Sequence, residues 1–141
     1  MVLRTQYFLM SDNIWSGRPI VFNYNLNDGN NFAFAYGLHS RIEQLPVYFT
    51  EASGSQPNKD LEFMKSSQYV FSYAAKLSDN MRFTVEPYFQ KLSNVPVSPN
   101  GYISTLNNDN ALFFSEILCS DGTGRNIGID FTFERFLHKG F

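Results

Sequence analysis

Arg125-Asn126-Ile127-Gly128-Ile129-Asp130-Phe131-Thr132-Phe133-Glu134-Arg135-Phe136 is the stretch on which the fold turns. Ile127, Ile129, Phe131 and Phe133 take alternate positions, and Asn126, Gly128, Asp130, Thr132 and Glu134 fill the gaps. Successive side chains of a strand point to opposite faces, so the stretch reads as one strand with an apolar face and a polar one. Four more stretches share this alternation. Residues 31–42 set Phe32, Phe34, Tyr36 and Leu38 against Ala33, Ala35, Gly37 and His39. Residues 68–77 set Tyr69, Phe71, Tyr73 and Leu77 against Gln68, Ser72, Ala74 and Lys76. Residues 81–91 set Phe83, Val85 and Phe89 against Arg82, Thr84, Glu86, Tyr88 and Gln90. Residues 18–26 are a weaker case, with Ile20, Phe22, Tyr24 and Leu26 against Asn23 and Asn25.

The connections alternate too. Residues 27–30 and 78–80 are short, whereas 43–67 and 92–124 are long, and His138-Lys139-Gly140 opens another short turn. Asn27-Asp28-Gly29-Asn30 and Ser78-Asp79-Asn80 supply residues that tolerate the positive φ of hairpin turns. Antiparallel strands joined in this rhythm place every short turn at one end and every long loop at the other. Outer-membrane β-barrels are built that way. The expected fold is therefore all-β: antiparallel up-and-down strands, part of a transmembrane barrel. Strands of about ten residues suit a tilted membrane crossing of ~9–11 residues better than the ~5–6 of an ordinary sheet. A soluble up-and-down barrel or sandwich, binding an apolar ligand or a protein partner, has the same alternation with its apolar face turned inward.

Composition agrees with either form. Of 141 residues, 17% are aromatic and only 17% charged, below the ~25% charged of a typical soluble domain. The net charge of −2 offers no basic footprint for nucleic acid. Mean hydropathy is slightly negative, and no run approaches the ~20 apolar residues of a membrane helix. Residues 1–10 lack the apolar core and small-residue cleavage site of a signal peptide. Residues 1–17 stay unassigned. Cys119 is the single cysteine and reads as a small loop residue, with no base beside it. Within the first long loop, residues 58–64 suit a short helical turn capped by Asn58. Within the second, 111–118 is apolar enough for a strand.

Several strings, in order, resemble the barrel region of TonB-dependent outer-membrane receptors with a carboxypeptidase-regulatory-like N-terminal domain. They are Tyr36-Gly37-Leu38-His39-Ser40, Leu45-Pro46-Val47-Tyr48-Phe49 and Pro57-Asn58-Lys59-Asp60-Leu61. Then come residues 83–86, Tyr88-Phe89-Gln90, Val95-Pro96-Val97, Gly122-Thr123-Gly124-Arg125-Asn126, Gly128, residues 131–136 and Lys139-Gly140. The set covers residues 17 to 141. The resemblance implies residues 18–141 as part of a barrel of roughly 22 strands around a plug. It implies a partner complex, TonB, acting through an N-terminal part this chain lacks. It implies uptake of a nutrient of siderophore, cobalamin, glycan or peptide class across the outer membrane of a Gram-negative cell. On that reading the chain is a fragment or a truncated frame. Pro87, mid-strand, departs from the pattern by removing a ladder donor, and local hydrogen bonding should weaken there.

Placed in such a wall, Lys76, Arg82, Glu86, Tyr88, Asp130 and Glu134 would line the lumen, the carboxylates pairing with Lys76, Arg82 or the plug. Phe71, Phe83, Ile127, Ile129, Phe131 and Phe133 would meet outer-membrane lipid. Tyr36, Tyr69, Tyr88 and Phe89 are candidates for an interfacial aromatic girdle. No chemistry is assigned: His39 and His138 lack ligand spacing. Gly122-Thr123-Gly124 lacks a phosphate-loop context, and Asn107-Asn108-Asp109-Asn110 lacks the later Glu of a calcium loop. The sequence points to no enzyme, cofactor or metal.

Overall fold

A computed structural model of the chain describes residues 4–8, 13–17, 19–51, 54–100, 103–106 and 116–136. Residues 4–17, unassigned from sequence, hold an antiparallel pair, β1 (Arg4–Phe8) and β2 (Asn13–Gly17). The main sheet runs β3 (Ile20–Asn27), β4 (Asn30–Arg41), β5 (Met64–Ser78), β6 (Met81–Val97) and β7 (Cys119–Arg135), each strand beside its sequence neighbours. All pairings are antiparallel, so this is an up-and-down sheet. Its turns of two residues close one end, and segments 42–63 and 98–118 connect strands at the other.

The alternation read from sequence becomes two faces through the register. Phe34 stands opposite Phe22 and Phe71, Tyr73 opposite Phe32 and Val85, and Phe83 opposite Phe133. One aromatic and aliphatic surface thus crosses all five strands. Ring pairs knit it across β4 and β5, with centroids 4.8 Å apart for Phe32–Tyr73 and 4.9 Å for Tyr36–Tyr69. Pro87 leaves its expected mark. The β5–β6 pairing skips from Val70 opposite Tyr88 to Tyr73 opposite Val85, and the register resumes unchanged. The missing N–H therefore weakens the ladder locally without slipping the strands.

Three expectations need correction. First, β5, β6 and β7 run well past the boundaries 68–77, 81–91 and 125–136 at their loop ends, and loops 43–67 and 92–124 shrink to match. In β6 and β7 the alternation hides this extension because register shifts between Leu92 and Val95, and again before Val97, change which residues share a face. Asn94, with φ of 55°, lies at the first shift. Second, neither turn uses positive φ. The Asn27 side chain accepts from the Gly29 and Asn30 nitrogens at 3.0 and 2.8 Å, and register shifts beside both turns supply the local twist. Third, the turn near Asn58 is a one-turn 3-10 helix, Pro57–Asp60, capped at Gln56. Residues 111–115 and 138–140 lie outside the described residues, and Glu116–Leu118 is not strand.

Candidate functional site: a two-faced sheet under a folded loop cap

The register divides the candidate side chains between the two faces of the sheet. On the polar face Lys76 stands opposite Arg82, Arg82 opposite Glu134, Glu86 opposite Asp130, and Tyr88 opposite Gly128. On the other face lie Phe71, Phe83, Ile127, Ile129, Phe131 and Phe133. That apolar face is bare among the described residues: Ile127 is 73% exposed, Phe131 65% and Phe22 66%.

The polar face is wired by neutral groups. Asn126 donates to Gln90 at 2.7 Å, and Gln90 donates to Ser66 at 2.8 Å, crossing three strands. Within the chain, Glu86, Asp130 and Glu134 have no salt bridge to Lys76 or Arg82. Lys76 instead reaches Asp79 in the turn at 2.8 Å, and its hydrogen bond holds the Asp79 carboxyl below the usual carboxylate range. Tyr88 belongs to this face and not to the aromatic row with Tyr36, Tyr69 and Phe89. Its ring lies over Gly128, where a Cβ would come within 2.4 Å of it, so glycine on β7 makes room for the neighbouring strand's aromatic.

The apolar band has charged limits. On β7 it runs from Ile127 to Phe133 between Arg125 and Arg135, with the register unbroken throughout. Those ten steps span about 34 Å of strand at ~3.4 Å each. At the loop side the row Tyr36–Tyr69–Phe89 closes the band, with ring centroids 4.9 and 6.0 Å apart. The next row beyond it carries Lys91 opposite Arg125.

Above the sheet the two long connections fold together. A one-turn helix, α1 (Leu45–Tyr48), starts at Pro46 in its first turn and buries Val47 and Tyr48. These pack with Leu61 and Leu118 into the cap's core. Tyr48 is fully buried, and its hydroxyl accepts from the Glu43 N–H at 3.3 Å. Burial pushes its pKa above the ordinary 10.0. Asn58, also fully buried, joins the two loops. Its Nδ2 donates to the Val47 and Glu116 carbonyls at 2.9 and 3.0 Å, and its Oδ1 accepts from the Leu118 N–H at 2.9 Å. This explains why Asn58 caps no helix: its amide is used across 60 residues of sequence. A second small cluster, Met64, Leu92 and Val95, lies beneath, on β5 and β6.

Sequence reasoning missed this cap. Its one local signal is the pair of prolines, Pro46 and Pro57, each starting a helical turn. Among the described residues no group of three or more His, Cys, Asp or Glu side chains gathers as metal ligands. The candidate site is therefore a surface, with one apolar and one polar wall and a structured roof. Neither a scan of protein-family models nor a search of curated protein sequences finds a match for this chain.

Proposed function

We propose that this chain is a piece of wall from an outer-membrane β-barrel, of the TonB-dependent receptor type that its sequence strings resemble. The observation carrying this reading is the spacing of the charged residues that bound the apolar band. Strands tilted by ~35–45° turn the ~34 Å between Arg125 and Arg135 into about 24–28 Å of height, against the ~25 Å apolar belt of a membrane barrel. Supporting it, an apolar face this large stands uncovered among the described residues, well above the scattered exposure of a soluble monomer. Among the described residues the edge strands β3 and β7 each have one hydrogen-bonded neighbour, and unpaired edges call for more sheet. In this arrangement the polar face lines the lumen beside a plug contributed from outside this sequence. The loop cap faces outward and takes part in capturing a nutrient, which a TonB-driven plug then admits.

The test is sedimentation of residues 1–141 expressed with and without detergent. The proposal expects aggregation that detergent, or the rest of a longer chain, relieves. A compact, soluble, detergent-free monomer would contradict it and favour a soluble sandwich whose apolar face is buried against itself.

A further inference from the structure

We propose that the loop-side rim of the apolar face binds the phosphate groups of anionic lipid headgroups, through Lys65, Lys91 and Arg125. The inference rests on the membrane reading above and adds to it the chemistry of the lipid.

Ser67, Lys91 and Arg125 form one cross-strand row on β5, β6 and β7, and Lys65 stands opposite Ser93, two residues beyond Lys91. All three cations project from the apolar side, immediately past the aromatic row. All three are exposed, and none of their side chains has a hydrogen bond or ion pair among the described residues. Lys91 and Arg125 are directly opposite each other. Facing pairs on a sheet have Cβ atoms ~4.5–5.5 Å apart, and like charges there repel and destabilise. Among the described residues nothing offsets that cost. The nearest acidic residue on the same face of β7 is Asp121, four positions toward the loops, and it forms no salt bridge with them. Glu62, at the same end, is engaged by the Asn94 amide at 2.6 Å.

A row of unpaired cations at the edge of an apolar band has one fitting partner: an anion anchored to the apolar layer itself. The arginine fork takes a phosphate with two parallel hydrogen bonds, while the lysines add compact charge on flexible stems. Their methylene stems lie on the apolar face and lift the charge to the headgroup level. The opposite rim differs. There Arg135 stands opposite Met81, with no second cation in its row, so phosphate binding should be confined to the loop side.

The experiment is native mass spectrometry of the full chain in non-ionic detergent, with lipid A bearing two phosphates and with the same lipid dephosphorylated. Retention of phosphorylated lipid should exceed that of the dephosphorylated form. The double variant Lys91→Gln/Arg125→Gln should cut it roughly tenfold, since each basic residue at a membrane surface adds appreciably to anion attraction. Arg135→Gln should leave it unchanged. Millimolar inorganic phosphate should not displace the lipid; displacement would mean a free-anion site and overturn the lipid assignment. Equal loss in Arg135→Gln, or none in the double variant, would overturn the proposal. A chain that enters detergent but shows no phosphate preference defeats this inference alone, whereas a detergent-free soluble monomer defeats the membrane reading beneath it.

Discussion

The sheet and the loop cap are held together by opposite means. In the sheet, order comes from backbone ladders and cross-strand pairs. Its large side chains stay bare, with Ile127, Phe131 and Phe22 each about two-thirds exposed or more. Among the cap's described residues the helices are turns of four residues, yet Val47, Tyr48 and Asn58 are entirely or almost entirely buried. A ladder fixes shape without excluding water. A core excludes water whatever the backbone's regularity. The difference teaches where each part's stability must come from: the cap carries its own, while the sheet borrows it from whatever covers the apolar face.

The largest effect is expected in the cap. Tyr48→Ala empties its centre and should cost about 3–5 kcal/mol of local stability, as buried aromatic truncations do. Hydrogen exchange should reveal it as faster exchange at Val47 and Leu118, in both loops together, with amides of β4 and β5 near Phe32 and Tyr73 unchanged. Tyr48→Phe keeps the volume but leaves the Glu43 N–H without its acceptor, a smaller loss of about 1–3 kcal/mol. If Tyr48→Ala loosened the sheet as much as the cap, the division between the two regions would fall.

A somewhat smaller effect is expected in the sheet, and only where lipid covers it. Ile129→Arg should destabilise the bilayer-embedded protein by about 2–4 kcal/mol at mid-membrane depth. Thr132→Arg, three residues away on the polar face, should cost much less. Denaturant titration in lipid vesicles checks both. Equal penalties on the two faces would erase the distinction between them.

The same contrast explains what could be read in advance. Alternation is a local signal, so the two faces of β4, β5, β6 and β7 were legible from Phe32, Tyr73, Phe83 and Ile129 without any tertiary knowledge. So was the weak pairing at Pro87. What alternation could not carry was any place where parity changes. The shifts after Leu92 hid the end of β6 and the beginning of β7 inside what read as a loop. The Asn58 staple was illegible for another reason: its partners, Val47, Glu116 and Leu118, are set by folding and not by spacing. Likewise the carboxylates Glu86, Asp130 and Glu134 were given Lys76, Arg82 or a plug as partners, and no pair with Lys76 or Arg82 forms. Facing positions on a sheet fix Cβ distances, not where long side chains go; Lys76 turns to Asp79 instead.

The most direct measurement of the central claim places single cysteines at Ile129 and Asp130 in a Cys119→Ser background. Each is labelled with an environment-sensitive fluorophore, and the protein is reconstituted into vesicles containing brominated lipid. Strong quenching at position 129 with little at 130 is the result this account predicts. Equal quenching at the two positions, or none at 129, would contradict it.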